Sequence, residues 1–342
     1  MTLTLPRTAK AETQPAYKAV ILYSILKDWD DHDTVISDEA VHRMRRGLGA
    51  LGVDATPVAI HNDVAGPIKH FDPREHIIFN WCEGLGDDPN AYDAIPPVLE
   101  KMGFAYTGCD AWSLATSQNK AVTKIILLQH KIPTPVSRVF DRAVISGWRR
   151  FPAMVKPAAE HCSFGITRES VVDTPQQLKD RVQYVLDTWK EPALVEDFID
   201  GVEYNVSLWG NGESAQVLPI GAIDYAAFTD YHDRLCTFEA KWNPESDAYR
   251  LSGVQCPAQL EPALQRRIER VALKTFRALR MRDYGRIDIR VRNGVPYVLD
   301  VNANPDITME GGFARSARAA GYDYGQMSAR ILGLAARRMP AH

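Results

Sequence analysis

The chain has 342 residues, of which 45% are hydrophobic and 24% charged, and its net charge is −3. This composition is ordinary for a globular protein, and the length allows two or three packed units. The near-balanced charge does not favour a nucleic acid or a membrane surface as the main partner. The 5 cysteines form no CxxC pair, which argues against a disulfide framework or a zinc site and favours a reducing compartment. We expect a cytoplasmic protein, because no signal peptide or apolar run of about 20 residues is found.

The first part of the chain alternates strands with helices after a lead-in, residues 1–17, that is expected to be flexible. Apolar runs predict three strands, at residues 19–23, 57–60 and 77–79. Apolar side chains at helical spacing predict a helix over residues 37–51, between the first two strands. Strands that alternate with helices indicate a parallel sheet, so we expect a Rossmann-like N-terminal domain over residues 18–115.

The rest of the chain is expected to form a central part, residues 116–205, and a C-terminal part, residues 206–342. The predicted helices cover residues 117–130, 175–186 and 261–280, and the predicted strands include residues 153–156, 193–196, 203–209, 287–291 and 297–301. Pro133 and Pro135 end the first of these helices, since proline interrupts helical hydrogen bonding. Thr174 and Gln177 form a capping box that begins the second. The last two strands form a hairpin around Asn293-Gly294.

That hairpin carries an unusual polar face. Successive side chains of a strand alternate between faces, so Arg286 and Asp288 share one face, and Asp300 and Asn302 share one on the returning strand. A two-residue loop at 293–294 would put Asp300 on the wrong face. We therefore predict a three-residue loop, 292–294, which would bring Asp300 opposite Arg286 and diagonal to Asp288, about 7–8 Å away or less.

Two carboxylates and one amide oxygen at that distance suit a hard cation that bridges phosphates. The alternative is an ordinary hairpin whose polar face meets solvent. Asn304-Pro305 and Gly311-Gly312 follow directly and favour the metal interpretation, because glycines allow close approach of the backbone to a ligand.

Ten short strings, in one order along nearly the whole chain, resemble the D-alanine–D-alanine ligase branch of the ATP-grasp superfamily. They are Tyr106–Gly108, Asn119–Lys120 with Lys124, Ile132–Pro135, Val155–Pro157, Val195–Glu196, Gly201–Glu203, Glu239–Lys241, Cys256–Ala258, Gly285–Asp288 and Asp300–Asn302. The resemblance implies an α/β ATP-grasp fold, in which an N-terminal parallel-sheet domain precedes two α+β subdomains that clasp ATP. It also implies an ADP-forming carboxylate–amine ligase that works through an acyl phosphate.

The same resemblance implies roles for individual residues. The nucleotide contacts would be Lys120, Lys156 and Ser163 at the phosphates, Glu196 at the adenine edge, Glu203 at the ribose hydroxyls and Lys241 at the γ-phosphate. Asp288, Asp300 and Asn302 would hold two Mg²⁺, with Mn²⁺ as the alternative metal, and Arg286 would face the developing oxyanion. Such a site suits phosphoryl transfer, which relies on cations rather than on a protein nucleophile. Other interpretations remain for two of these residues and for one neighbour: Lys120 as a surface lysine, Glu203 as an ordinary strand carboxylate, and Lys124, which we expect at the surface.

The sequence departs from the family pattern mainly on the substrate side. Glu83 stands where the family usually has histidine, and Gly311 and Gly312 stand where it typically has Ser-Leu to hold the second amino acid. His161 and Cys162 replace small residues in the phosphate loop, and Asp300 replaces a glutamate. We therefore expect small-molecule carboxylate and amine substrates, amino acids other than a pair of D-alanines, with Glu83 as a partner for a substrate amine.

Two alternatives stay open on the sequence alone. One is a genuine D-alanine–D-alanine ligase, and the other is a nucleotide-binding ATP-grasp module that acts as a sensor or partner. Lys156, Arg286 and Asp288 argue against the sensor, because binding alone does not require an oxyanion donor. The family resemblance also implies a homodimer.

Overall fold

The computed structural model describes residues 17–160, 165–237, 239–240, 243 and 245–340, and of Asp31 only the backbone. The expected lead-in at residues 1–17 lies outside the described residues except for its last member. The strands are β1 (Lys18–Ser24), β2 (Ala55–Ile60), β3 (His76–Trp81), β4 (Ser137–Phe140), β5 (Ala153–Pro157), β6 (Val171–Val172), β7 (Ala193–Asp197), β8 (Glu203–Gly210), β9 (Gln216–Val217), β10 (Gly221–Asp224), β11 (Gly253–Gln255), β12 (Asp283–Arg292) and β13 (Val295–Asn302).

The helices of the described residues are α1 (Asp31–Ala50), α2 (Ala65–Ile68), α3 (Ile95–Lys101), α4 (Ala111–Gln118), α5 (Lys120–Gln129), α6 (Pro175–Trp189), α7 (Asp247–Leu251), α8 (Pro262–Ala278), α9 (Gly312–Ala319) and α10 (Tyr324–Ala336). None of these helices combines the length and the apolar character that a bilayer span requires. The chain divides into two compact units. Residues up to Thr107 and from Asp323 form the first unit, and Gly108–Tyr322 form the second.

The first unit is built on a parallel sheet in the order β2–β1–β3. β1 is buried along its whole length except for its first residue, as expected for a strand covered on both faces. The side chain of Asp30 accepts a hydrogen bond from the backbone N of Asp33 and caps α1, which therefore begins earlier than residue 37. Residues of β1 and β3, such as Leu22 and Ile78, pack with Leu99 of α3 in one core cluster. The prediction of a parallel sheet is confirmed.

The C-terminal helix α10 belongs to this first unit, although the sequence assigned residues 206–342 to a C-terminal part of their own. It packs on α1 so closely that a Cβ on Gly47 would lie 2.9 Å from the Cα of Gly325. Just beyond α10, the guanidinium of Arg338 donates to the carbonyl of Tyr106 at 2.6 Å. The packing of two glycines 278 positions apart leaves no local trace in the sequence.

The second unit contains two antiparallel sheets. The first sheet has the order β4–β7–β5–β6, and α6 packs on it through buried side chains such as Leu178 and Val182. Thr174 begins α6 as predicted: its hydroxyl accepts from the N of Gln177, and the Gln177 side chain accepts from the N of Thr174. The single helix predicted over 117–130 is wrong. Asn119 separates α4 from α5, because its extended backbone (ψ 95°) lets its side chain cap α5 instead.

The second sheet has the order β11–β10–β8–β12–β13, with β9 beside β8. The hairpin of β12 and β13 turns on two residues, Asn293 (φ 53°) and Gly294 (φ 73°), with Arg292 paired to Val295. This is the two-residue turn that Asn-Gly favours, so the prediction of a three-residue loop is wrong. The polar faces nevertheless meet, because the register shifts at a β-bulge whose extra residue is Leu299.

Candidate active site

The bulge brings the predicted metal residues together. Asp288 lies directly opposite Asp300, and Arg286 lies directly opposite Asn302, in the antiparallel register of β12 and β13. The Asp288 carboxylate accepts from Arg286 Nε at 2.8 Å and from Asn302 Nδ2 at 2.9 Å. All four side chains therefore share one face of the sheet. The prediction of a shared face is confirmed, although a bulge and not the turn produces it. The predicted pairing of Asp300 with Arg286 is wrong, because the bulge puts Asp300 directly opposite Asp288.

A fifth side chain on this face comes from the neighbouring strand β8. Asn205 pairs with Asp288 across the ladder, and its Nδ2 donates to Asp288 Oδ1 at 2.9 Å. Asp288 is 8% exposed, so these donors orient a nearly buried carboxylate. The sequence analysis did not single out Asn205. Asn205 follows Glu203 by two residues on the same strand, so the two side chains share one face. This spacing could have identified Asn205 from the sequence.

A second group of charges lies on the other sheet and centres on Glu196 of β7. One carboxylate oxygen lies 2.7 Å from Lys124 Nζ, and the other lies 2.8 Å from Lys156 Nζ. All three side chains are less than 10% exposed. Burial alone would raise the pKa of Glu196, but the two lysines outweigh it and lower that pKa. Burial alone would lower the pKa of Lys156, but Glu196 raises it, so Lys156 keeps its positive charge.

The third lysine, Lys120, opens α5 and is also buried. Its ammonium donates to the carbonyl of Glu160, and burial lowers its pKa while Asp300 acts in the opposite direction. Asp300 acts electrostatically on Lys124 and Lys156 as well. The polar hairpin and the lysine group are thus one connected set of charges, with Asp300 at the junction. The interpretation of Lys120 as a surface lysine is wrong.

Lys124 is likewise not the surface residue that we expected. Its side chain is 5% exposed and donates to Thr134 Oγ1 at 2.9 Å, in addition to its ion pair with Glu196. Thr134 in turn donates to the carbonyl of Val298 on β13 at 2.8 Å. Burial lowers the pKa of Lys124, and Glu196 opposes that shift. The sequence concealed this role because Glu196 lies on β7 and Thr134 lies in the loop between α5 and β4, so neither partner is on the helix of Lys124.

Glu203 at the start of β8 is held by Arg290 of β12. The Arg290 Nε donates to Glu203 Oε2 at 3.2 Å, and the hydroxyl of Tyr225 lies 3.4 Å from the same oxygen. Arg290 is 3% exposed, and its guanidinium also donates to the carbonyls of Ile199 and Arg234. Burial alone would lower the pKa of Arg290, but Glu203 raises it. Arg290 therefore positions Glu203. The sequence could have indicated this residue, because Arg290 shares the polar face of its strand with Arg286 and Asp288.

The Arg286 guanidinium makes a two-point contact with the Asp288 carboxylate, at 2.8 and 2.9 Å. Burial alone would lower the pKa of Arg286, but Asp288 raises it, and Asp306 contributes in the same direction. A fixed cation that cannot lose its proton is suited to stabilise an oxyanion. Asp306, in the segment between β13 and α9, is a charge near Arg286 that the sequence analysis did not single out.

The predicted substrate residues lie in both units. Gly311 is buried and Gly312 is half-buried at the start of α9, in the second unit. Glu83 lies in the first unit with an exposed side chain, and its backbone N donates to the hydroxyl of Ser24 at 2.9 Å. Ser163 and Lys241, as well as His161 and Cys162, lie outside the described residues. Within the described residues, no cluster of three or more His, Cys, Asp or Glu side chains that could hold a metal occurs, so a metal here would depend on the amide of Asn302 as well.

Comparison with known proteins gives consistent matches. The D-ala D-ala ligase C-terminus family model matches residues 125–333. Uncharacterized protein y4sG of Sinorhizobium fredii is 33% identical over 268 residues, which cover 77% of this chain and 75% of that protein. The D-alanine–D-alanine ligase of Maridesulfovibrio salexigens is 28% identical over 303 residues, which cover 85% of this chain and 93% of that protein.

Solved structures share the fold. The D-alanine–D-alanine ligase of Bacillus anthracis complexed with ATP superposes with a TM-score of 0.71 at 21% identity, over 94% of this chain and 98% of that chain. The VanG D-Ala:D-Ser ligase of Enterococcus faecalis superposes with a TM-score of 0.72 at 18% identity, over 93% of this chain and 99% of that chain. The expected ATP-grasp fold is thereby confirmed. The chain belongs to the D-alanine–D-alanine ligase-like family of the ATP-grasp superfamily, and it is an ATP-dependent, ADP-forming ligase.

Proposed function

We propose that this ligase joins the carboxylate of one amino-acid-like substrate to the amine of another, and that the pair is not two molecules of D-alanine. The observation that carries the proposal is the single connected set of charges in the second unit. Two buried lysines hold Glu196, a third lies nearby, and Asp300 of the polar hairpin acts on all three. ATP carries about four negative charges, and a site with several fixed cations suits its phosphates.

The nucleotide is expected to use the cationic side of this set. Burial lowers the pKa of Lys120, so a neighbouring phosphate would stabilise its ammonium form. Lys156 keeps its charge beside Glu196 and is proposed to contact a phosphate as well. Glu203, fixed by Arg290, is proposed to accept from the ribose hydroxyls. Glu196 is proposed to lie at the adenine edge, with both of its oxygens already held by lysines.

The hairpin is the proposed site of two Mg²⁺. Asp288, Asp300 and Asn302 supply carboxylate and amide oxygens, which are the ligands that Mg²⁺ prefers. Asn302 donates its Nδ2 to Asp288, and that contact leaves its amide oxygen for a cation. When bound, Mg²⁺ would neutralise phosphate charge during the transfer. Asn205 and Arg286 would hold Asp288 in place.

The reaction needs no protein nucleophile. A carboxylate oxygen of the first substrate attacks the γ-phosphorus, the bond to the β-phosphate oxygen breaks, and ADP leaves. The amine of the second substrate then attacks the carbonyl carbon of the acyl phosphate. Arg286, half-buried and permanently charged, stabilises the negative oxygen that forms. The carbon–oxygen bond to phosphate breaks, the nitrogen loses a proton, and the amide and inorganic phosphate are released. Lys241 and Ser163 are proposed to assist at the phosphates.

The choice against two D-alanines rests on the amine side of the site. Gly311 and Gly312 carry no side chain that could donate to a carboxylate or enclose a methyl group. Glu83 is proposed as a contact for a substrate amine. A genuine D-alanine–D-alanine ligase is the second candidate, favoured by the ligases among the relatives. Location in the cytoplasm and assembly into a homodimer complete the proposal, and size-exclusion chromatography tests the latter.

The test is ADP release from ATP and Mg²⁺ with single D- and L-amino acids as carboxylate donors. Hydroxylamine serves as a small neutral acceptor that converts an acyl phosphate into a measurable hydroxamate. We expect hydroxamate with at least one donor, and its loss when EDTA removes Mg²⁺. ADP release without any dependence on donor would contradict the ligase and favour a nucleotide-binding module. Strong turnover with D-alanine alone would instead establish the second candidate.

Lys156→Met is the variant that tests the phosphate role, and Lys124→Met is its matched control. Both substitutions remove a buried ammonium from the same carboxylate of Glu196. We expect the Lys156 variant to lose at least a hundredfold more activity than the control when both remain folded by circular dichroism. Equal losses would mean that Lys156 acts only through the structure.

A further inference from the structure

The segment between β13 and α9 holds a carboxylate over a glycine. Asp306 Oδ1 accepts from the backbone N of Thr308 at 2.8 Å, which fixes the orientation of the side chain. A Cβ built on Gly311 would lie 2.7 Å from Asp306 Oδ2 and 3.0 Å from the Asp306 carbonyl oxygen. Real Cβ atoms essentially never approach another atom as closely as the first of these distances, and the second is unusually tight. The Asp306 carboxylate therefore occupies the space that a side chain at position 311 would take.

This carboxylate also lies near the reacting centre of the proposed reaction. Asp306 is among the groups that hold the pKa of Arg286 above its ordinary value, so its charge reaches that guanidinium. Arg286 is the group proposed to stabilise the oxyanion. The amine of the acceptor must approach the carbonyl carbon of the acyl phosphate, which carries this oxygen, to within bonding distance. The part of the acceptor next to its amine is therefore exposed to the negative charge of Asp306.

Position 312 provides room beside this charge. A Cβ on Gly312 would meet no atom within 4 Å, so the chain leaves open space at the start of α9. Under the proposed function, this space would admit an acceptor with a group larger than a methyl. The proposed acceptor side thus combines one negative charge with open space, and at positions 311 and 312 it has no side-chain donor.

We propose that Asp306 makes this ligase select an amine acceptor that carries a neighbouring cationic group, such as a diamine, over an acceptor with a neighbouring carboxylate. The proposal rests on the proposed function, in which Gly311 and Gly312 line the acceptor pocket. The reason is electrostatic. A carboxylate next to the attacking amine meets a like charge at Asp306, whereas an ammonium group meets an opposite charge, and like charges in a site of low dielectric repel strongly.

The experiment uses three acceptors that differ only beside the amine. Alanine carries a carboxylate, alaninamide a neutral amide, and 1,2-diaminopropane an ammonium group at neutral pH, and each is used as both enantiomers. The donor is the amino acid that gives the fastest hydroxamate formation. We expect kcat/KM for the diamine to exceed that for alanine at least tenfold, with alaninamide between them.

Asp306→Asn keeps the shape and the acceptor for Thr308 but removes the charge. We expect it to reduce the ratio of diamine to alanine at least tenfold. Glu310→Gln is the matched control, because it removes an acidic charge from an exposed side chain of the same segment. The control should leave the ratio within twofold of the original chain. The double variant Asp306→Gly/Gly311→Ser should move the preference further towards alanine, since a hydroxyl can donate to a carboxylate.

The outcomes separate this inference from the proposed function. Hydroxamate formation together with a preference for alanine, or with a ratio that Asp306→Asn leaves unchanged, would overturn the role of Asp306 alone. Absence of hydroxamate with every donor would overturn the ligase reaction and the inference with it. A diamine preference that disappears in Asp306→Asn and persists in Glu310→Gln supports the assignment.

Discussion

The substitution Glu196→Gln tests whether the buried carboxylate balances two lysines. Gln keeps the size of the side chain but removes the negative charge between Lys124 and Lys156. In the folded chain the two ammonium groups lie 2.7 and 2.8 Å from separate oxygens of Glu196. After the substitution both lysines remain buried, and the amide oxygen can accept from only one of them. The perturbation therefore breaks two ion pairs at once.

The expected cost follows from the burial of these groups. Breaking a buried ion pair by removing one partner costs about 3–5 kcal/mol, because the other charge stays buried without compensation. We expect Glu196→Gln to lower the free energy of unfolding by that amount, since all three side chains are less than 10% exposed. Lys124→Met should cost only about 1–2 kcal/mol, because Glu196 keeps Lys156 and one buried charge is removed. The double variant should cost at least about 1 kcal/mol less than the sum of the two.

Urea unfolding at pH 7, followed by tryptophan fluorescence, measures these differences. The loss in Glu196→Gln should also shrink as the pH rises towards 10. Without Glu196, burial lowers the pKa of Lys124 further below its value in the unfolded chain, so the unfolded state binds more protons and stability rises with pH. A variant within about 0.5 kcal/mol of the original chain, or a double variant whose cost is the plain sum, would refute the reasoning.

Three further predictions concern other parts of the second unit. His232 contacts Asp230 at 2.6 Å and Asp173 at 2.8 Å; burial opposes the shift, but these carboxylates raise the pKa of His232. The charged form of His232 should thus stabilise the fold fully below a pH of about 6.5 and lose this effect as the pH rises further. The Tm of the original chain should fall over this range, and the Tm of His232→Gln should not show that fall. Gly294→Ala should lower the free energy of unfolding by about 1 kcal/mol, because φ is 73° there; an unchanged urea midpoint would contradict the strain. Asn205→Ala should raise the Mg²⁺ concentration that gives half-maximal activity about 10- to 100-fold, because that residue orients a proposed metal ligand; unchanged Mg²⁺ dependence would remove that role.

Local patterns predicted the parts of the fold that local forces determine. The capping box at Thr174, the apolar strands and the position of the hairpin at Asn293-Gly294 are each set by neighbours within a few residues. The alternation of side chains along a strand also predicted that Asp288 and Asp300 share a face. The loop prediction was wrong because a register depends on every residue between the turn and the site. A bulge at Leu299 restores the shared face, but it shifts the register in the opposite direction from a longer turn, so Asp300 lies opposite Asp288 and not opposite Arg286. Alternation alone does not reveal which of the two shifts occurs.

The residues that the sequence analysis missed depend on charged or polar partners that the tertiary fold brings close to them. Lys124 lies on a helix with ordinary amphipathic spacing, and its partners Glu196 and Thr134 lie outside that helix. A lysine at such a position is usually solvated, so only the tertiary structure shows that it is buried. Asp306 is another example, because its significance depends on the approach of its carboxylate to Gly311.

The crowding between positions 306 and 311 has a consequence for how the specificity of such a ligase can change. A side chain acquired at position 311 by one codon change would displace the Asp306 carboxylate and break its contact with Thr308, with aspartate still encoded at 306. The orientation of the Asp306 carboxylate, and with it the proposed acceptor preference, therefore depends on the missing side chain of Gly311, five residues further along. A mutational survey that examined the acidic residue alone would overlook half of this determinant, and libraries intended to alter the acceptor should vary both codons together.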